Sequence, residues 1–306
     1  MQRRIKDYAV ISLKGLAMGA ADAIPGVSGG TIAFISGIYE ELVSTISNVN
    51  ASLFKTLFNK GFVAFWSQAN GNFVLALLSG IIISYVSFMK LAKYLLESHP
   101  ILIWSFFFGL IIASIYFVGK QITKWNLAAI IAFIIGAGIA FYITMLPAFS
   151  TNNSPYFLFV AGAIAICAMI LPGISGSFIL IILGAYKTLS DAIHDIDIKK
   201  IAIFVAGAII GLLSFSHVLK WLFKHYHNIT LALLTGFILG SLNKVWPWKK
   251  TLTWHTDPKG IMSPVLQESV SPFSFQGESM LAFAFLLMIF GFLTIFILEK
   301  VGSKKQ

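Results

Sequence analysis

Ile24-Pro25-Gly26-Val27-Ser28-Gly29-Gly30-Thr31 breaks an apolar stretch that runs from residue 8 to 45, and Leu171-Pro172-Gly173-Ile174-Ser175-Gly176-Ser177 breaks a second, from 156 to 190. Proline removes a helix donor and glycine admits strained backbone, so each PGxSG sequence opens the helix that carries it. In a bilayer, opened backbone survives only inside protein or facing a wet cavity. Each broken region therefore reads as a helical hairpin, re-entrant or just spanning. Outside the hairpins, six stretches are long enough to cross a hydrocarbon core of roughly 30 Å. They are about 73–95, 101–119, 125–146, 201–223, 229–246 and 280–298.

The composition demands such a setting. Of 306 residues, 58% are hydrophobic and 11% charged, where a soluble domain carries roughly 25% charged residues. Together with a mean hydropathy of +0.85, this leaves too little polar surface for a water-soluble globule. A cytosolic enzyme, a disordered tail and a secreted mini-protein are excluded. The net charge of +10 comes from 22 Lys and Arg that lie between apolar stretches rather than on one face. That pattern is a topology signal and an affinity for anionic membrane lipids, with no nucleic-acid partner implied. The single cysteine, Cys167, lies inside an apolar run, so neither an internal disulfide nor a cysteine metal site is expected.

The basic start (Arg3, Arg4, Lys6) is that of a signal peptide, but Lys14 and Asp22 interrupt the apolar stretch next to it and no cleavage site is evident, so the segment is expected to be retained. Placing this end inside, with each hairpin returning to its own side, puts thirteen cationic residues inside and nine outside. Both termini are then cytoplasmic. The longest connection, about 247–279, holds Trp248 and Trp254 and reads as an outer-face cap at the lipid interface. No separate domain is expected; residues 1–306 form one transmembrane unit.

The two breaks match at a constant offset of 147: Pro25 with Pro172, Gly26 with Gly173, Ser28 with Ser175, Gly29 with Gly176, Gly37 with Gly184 and Tyr39 with Tyr186. Downstream the match resumes at offset 127, pairing Gly80, Ser87, Phe88, Lys93 and Gly109 with Gly207, Ser214, Phe215, Lys220 and Gly236. Gly136 and Gly291 align in the last span of each half. The chain is a duplication, with repeat one at 8–146 and repeat two at 156–298. Each half holds one hairpin and three spans, and an odd number of crossings reverses orientation. The fold expected is an all-α polytopic membrane protein of two inverted repeats, with the breaks approaching each other from opposite faces. That layout belongs to secondary transporters, whose site lies between paired discontinuous helices. A simple packing kink is the alternative reading, since small residues let membrane helices approach closely. It explains Gly and Pro but not a Ser at the same point of both breaks.

A helix that begins after a break presents unpaired N–H groups and a partial positive charge. In the first break, Pro25, Gly26, Gly29 and Gly30 allow close backbone approach while Ser28 and Thr31 add hydroxyls. In the second, Pro172, Gly173 and Gly176 do the former and Ser175 and Ser177 the latter. Two opposed termini of this kind suit a phosphate or carboxylate. Asp22 is the only acid deep in either hairpin, and its counterpart is Met169. A charged carboxylate at the bilayer centre costs about 2.5–3.5 kcal/mol on insertion scales, so such acids are usually functional. Asp22 reads as a proton carrier or gate, or else as an N-cap for the following helix or a partner for Lys14. Glu40, which faces Lys187 across the repeat, is a second candidate for coupling or gating, while Glu41 and Lys187 read as interfacial charges. Lys90 and Lys93 share a helix face, matched by His217 and Lys220; Lys90, Lys93 and Lys220 can guide an anionic headgroup or merely snorkel. The scattered histidines give no metal spacing. Walker, nucleophile-elbow and dinucleotide motifs are missing, so no catalytic residue, cofactor or ATP hydrolysis is expected.

Residues 15–31, Gly-Leu-Ala-Met-Gly-Ala-Ala-Asp-Ala-Ile-Pro-Gly-Val-Ser-Gly-Gly-Thr, followed by Gly37-Ile38-Tyr39-Glu40, resemble the PopT-type polyprenyl-phosphate transporters of bacteria. The second copy, Leu171 to Tyr186, and the overall layout agree. The resemblance implies a plasma-membrane transporter that moves undecaprenyl or polyprenyl phosphate from the outer to the inner leaflet, recycling the lipid carrier of cell-wall peptidoglycan synthesis. Its partners would be that lipid and the surrounding membrane, and a homo-oligomer is compatible with it. Undecaprenyl-pyrophosphate phosphatases also pair re-entrant hairpins and carry a PGxSRS-type loop. Here Gly29 and Gly176 stand at the Arg position, and the upstream glutamates are missing apart from Asp22. Phosphoryl transfer needs cationic stabilisation of developing charge, so this chain departs from the enzyme pattern. A small-anion transporter is the third reading. By themselves the residues support an inverted-repeat transporter for an anionic headgroup.

Overall fold

A computed structural model describes residues 3–24, 27–147, 149, 154–256 and 262–303. Pro25 and Gly26 lie outside the described residues, as do Lys259, Lys304 and Lys305 and the side chains of Lys93, Trp254 and Lys300. The first hairpin comprises α1 (Ile5–Asp22), α2 (Gly29–Ile35) and α3 (Tyr39–Ser47). Between α2 and α3 the chain turns at Gly37, whose φ of 71° suits only glycine well. Arg3 donates to Glu41 through both guanidinium nitrogens at 2.6 Å, so α3 begins beside the start of α1. Then come α4 (Ala51–Gln68), α5 (Gly71–Ser98), α6 (Pro100–Gly119) and α7 (Leu127–Met145).

The second half repeats the plan. Its hairpin is α8 (Pro155–Ile170), α9 (Gly176–Ile182) and α10 (Tyr186–His194), with α9 and α10 bent by 108°. The bend falls at Gly184, φ 70°, the counterpart of Gly37. The Phe149 N–H donates to the Ile182 carbonyl at 2.7 Å, bringing the end of α9 back beside the chain that leads into α8. Next are α11 (Ile198–Ser241), a 3-10 turn (Leu242–Val245), strands β1 (Lys249–Thr256) and β2 (Met262–Ser269), and α12 (Leu281–Ser303). Among the described residues, α5, α6, α7 and α11 with its 3-10 extension are long and apolar enough to cross a membrane, and α8 and α12 are shorter apolar helices.

The expected stretches 201–223 and 229–246 lie on either side of Tyr226, whose non-helical backbone (φ −134°, ψ 45°) divides α11 into two helical segments. Two features depart from the sequence expectation. The expected outer loop contains a two-stranded antiparallel sheet in which Lys249 faces Ser269, so the fold is helical with one added β-hairpin. The connection carrying Lys55 and Lys60 is itself the helix α4, kinked at Gly61 (φ 79°) and exposing Phe54, Phe58, Phe62 and Val63.

Glycines set the close packing between helices, because a backbone without Cβ lets membrane helices approach. Along α1 and α5, a Cβ at Gly15 would strike the Leu77 carbonyl and one at Gly80 the Ser12 carbonyl. At the corresponding place, Gly162 of α8 lies on the Phe204 carbonyl and Gly207 of α11 on that of Phe159. The last helices behave alike: Gly109 of α6 lies on Met288 of α12 and Gly291 on Phe106, while Gly236 of α11 lies on Phe133 of α7 and Gly136 on Leu233. The final helix of each half thus packs on the other half. Of these, Gly80 and Gly207, Gly109 and Gly236, and Gly136 and Gly291 are pairs that the two halves of the sequence align.

Candidate functional site: the paired helix breaks

The two breaks touch. Ser28 is the residue before α2, and its Oγ accepts the Gly30 N–H at 3.1 Å while lying 3.3 Å from the Met169 carbonyl at the end of α8. Thr31 Oγ1 accepts the Gly173 N–H from the second break at 2.8 Å. Gly30 is packed so closely on α8 that a Cβ there would come 2.6 Å from the Ile170 carbonyl and 2.9 Å from that of Met169. Gly173, at φ 85°, lies against α11, where a Cβ would approach the Phe237 carbonyl at 2.8 Å and Ser241 Oγ at 2.9 Å. The start of α2, a region of positive potential, therefore meets the end of α8, where helix carbonyls lack intrahelical partners.

Their occupancy differs. Asp22 Oδ1 accepts the Gly29 N–H at 2.6 Å, so the first turn of α2 is closed by the chain's own carboxylate and by Ser28. Ser28 is the N-cap residue of α2, and Asp22 reaches the same helix end from seven residues upstream. Lys14 does not pair with Asp22; its Nζ donates to the Ser36 carbonyl at 2.6 Å. In the second break no side chain caps α9. Ser175 Oγ and Ser177 Oγ lie 2.9 Å apart, and Ser177 is exposed while Ser28, Thr31 and Ser175 are buried.

Residues 18–263, which include both breaks, match the family model described as VCA0040-like, undecaprenyl phosphate translocase-like. The chain belongs to this translocase-like family. It is similar to a polyprenyl-phosphate transporter of Vibrio cholerae, 44% identical over 99% of this chain and 100% of that protein. A polyprenyl-phosphate transporter of Staphylococcus aureus is 34% identical over 77% of this chain and 85% of its own length. No solved structure matches.

The remaining sequence candidates of this translocase-like chain lie away from the breaks. Glu40 is exposed and pairs with His227 Nε2 at 3.0 Å, joining α3 to α11 just past the Tyr226 kink. Lys220 is exposed and donates to Asn48 Oδ1 at 2.8 Å. Lys90 is exposed on α5. A feature the sequence reading missed lies where the 3-10 turn, β1 and α9 converge. A small pocket there is lined by Lys244, Lys249, Asn243, Gln267 and Thr144, among others. Lys244 Nζ sits 3.9 Å from the Phe178 ring and Lys249 Nζ 3.9 Å from the Trp104 ring. Burial, and secondly the charge of Lys244, pushes the Lys249 ammonium well below its ordinary pKa. The signal that could have found them is weak: two lysines five residues apart beside Trp246 and Trp248.

Proposed function

We propose that this chain transports polyprenyl phosphate across the bacterial plasma membrane, from the outer leaflet to the inner, with the phosphate held at the paired PGxSG breaks. The observation that carries the reading is the direct contact between the breaks in a chain whose relatives are named polyprenyl-phosphate transporters. Two inverted repeats with cytoplasmic termini would bring the breaks together from opposite faces. The glycine contacts repeated in both halves support that arrangement. Rocking of one repeat against the other would alternate access between leaflets, with Lys90, Lys93 and Lys220 attracting headgroups and the polyprenyl tail remaining in lipid.

Moving a phosphate with about two charges inward against 100 mV costs roughly 4–5 kcal/mol. Co-transport of protons would offset this, with Asp22 coupling the two events. Its carboxylate holds the Gly29 N–H, a donor that a phosphate would also seek. Protonation of Asp22 weakens that bond and frees the amide, so a proton and the headgroup would enter together. Glu40, paired with His227, is assigned to gating.

A phosphatase is disfavoured by the residues at the loop. Where the PGxSRS-type loop carries Arg this chain has Gly29 and Gly176, so neither position supplies the cation that would stabilise the charge developed in phosphoryl transfer. The test is the purified protein in liposomes containing labelled polyprenyl phosphate, with leaflet reorientation and released inorganic phosphate recorded in one sample. Reorientation without phosphate release, abolished in Ser28→Ala/Ser175→Ala, is expected. Asp22→Asn should lower gradient-driven transport more than headgroup binding. Phosphate released from a pyrophosphate lipid would replace this reading with the enzyme.

A further inference from the structure

The pocket under the β-hairpin has a chemistry the breaks do not. Lys244 and Lys249 bring two ammonium groups to one small space, and among the described residues neither forms an ion pair. Their ring contacts on Phe178 and Trp104 are attractive but supply no counter-ion. Lys249 Nζ also donates to the Lys244 carbonyl. An ammonium has three donors, so each retains the capacity to bind an anion. Neutral polar groups complete the lining: Asn243 Nδ2 donates to Thr144 Oγ1 at 2.7 Å, Ser269 Oγ lies 2.9 Å from Asn243 Oδ1, and Gln267 faces the same space. Two buried amines beside aromatic rings, with no carboxylate among the described lining residues, make a site in which a bound anion would favour the charged form of both.

The position adds a second, independent argument. Lys244 comes one turn after Ser241, and Ser241 Oγ lies where a Cβ of Gly173 would strike. Phe178, beneath Lys244, is the residue after Ser177. The pocket therefore adjoins the second break, at the end of α9 that no side chain caps. Its volume admits a single oxygen-sized group, so a phosphate would insert one oxygen and rest at the open mouth, its ester chain directed outwards.

We propose that Lys244 and Lys249 form a docking site for a phosphate monoester, the headgroup of the transported lipid, one step before the paired breaks. The inference rests on the transport reading for the identity of the lipid, while the anion site stands on the lysines. A headgroup drawn in by the exposed Lys90 and Lys220 would then dock on this buried pair before it reaches the breaks.

The test uses the full-length protein in lipid nanodiscs, with Trp fluorescence reporting through Trp104. Farnesyl phosphate, farnesol and inorganic phosphate are titrated separately. Lys244→Gln/Lys249→Gln should weaken farnesyl phosphate binding about tenfold or more, and Lys244→Arg/Lys249→Arg should restore most of it. Farnesol should bind weakly to every variant. Inorganic phosphate binding as tightly as farnesyl phosphate would overturn the lipid source in favour of a free anion. Unchanged farnesyl phosphate affinity in the Gln pair, with only a lower melting temperature, would show that the lysines merely anchor the hairpin, and would overturn the site. Lysine-dependent binding by a protein that moves no polyprenyl phosphate would sustain the site and remove the transport reading, so the two fail separately.

Discussion

The first and second breaks share a PGxSG sequence, and Ser28 and Ser175 both stand in extended backbone before a seven-residue helix, yet one is completed from within and the other is not. Around α2, Asp22 takes the Gly29 amide and Ser28 takes the Gly30 amide, with Ser28 and Thr31 only 2% and 1% exposed. Around α9, Met169 stands at the position matching Asp22, the hydroxyls of Ser175 and Ser177 bond each other, and among the described residues no side chain caps the helix start. The matching positions of the two halves preserve what packing needs, which is glycine at the crossings. They do not preserve what charge needs. One positive helix end carries a built-in anion, and the other lies beside two lysines, in surroundings suited to an anion from outside. Under the proposed transport cycle the two ends do different work: the first exchanges a proton and the second receives the headgroup.

The contact between breaks should give the largest effect when disturbed. Gly30→Ala places a methyl 2.6 Å from the Ile170 carbonyl and 2.9 Å from that of Met169, and backbone cannot swing aside as a side chain does. Overpacking of this kind costs about 1–3 kcal/mol. A clear fall in melting temperature and near-complete loss of lipid reorientation are expected. Gly29→Ala meets only the Asp22 carboxylate, which can rotate away, so its stability loss should be smaller while its proton coupling suffers. Equal stability of Gly30→Ala and the wild type would mean that the breaks are not held by this contact.

An intermediate effect is expected from making the second break like the first. Met169→Asp places a carboxylate at the position equivalent to Asp22. If α9 receives the headgroup, this carboxylate competes for the same donors and weakens farnesyl phosphate binding about tenfold. Met169→Asn, neutral and of similar size to the aspartate, should bind nearly as well as wild type. Unaltered binding by Met169→Asp would dissolve the distinction between the two ends.

Legibility in the sequence depends on where the constraints reside. Gly80, Gly109, Gly207 and Gly236 stood out in the sequence by their fixed spacing, but only the fold shows that a Cβ at any of them collides with the backbone of a neighbouring helix. The meeting of the breaks was legible from their repeated PGxSG sequence. Their partners were not, since Ser28 and Gly30 meet main-chain carbonyls of Met169, Ile170 and Leu171, and a carbonyl carries no sequence signal. Asp22 showed itself as an acid out of place, but only the fold around Gly29 gave it a partner. The helix α4 escaped because Lys55, Asn59 and Lys60 interrupt its apolar residues and deny it the run expected of a span. The lysine pocket escaped because its aromatic partners, Trp104 and Phe178, come from α6 and α9, far from Lys244 and Lys249 in the chain.

The smallest effect concerns a pair of tyrosines that the repeat makes equivalent and the fold separates. Tyr39 opens α3, is 2% exposed and lies edge-on to Phe34 and Phe223. Its hydroxyl is buried with no hydrogen-bond partner among the described residues. Tyr186 opens α10 and is 47% exposed. A buried unpaired hydroxyl costs about 1–3 kcal/mol of desolvation, part of which is recovered when it is removed. Tyr39→Phe should therefore be neutral or stabilise the protein by up to about 1 kcal/mol, whereas Tyr186→Phe should leave thermal unfolding unchanged. Loss of stability in Tyr39→Phe would mean that the hydroxyl is paired, with water reaching the base of the first hairpin. Tyr39 packs on α2 through Phe34 and on α11 through Phe223, so a wet hydroxyl there would place the water path of the first half along α3 rather than through the breaks.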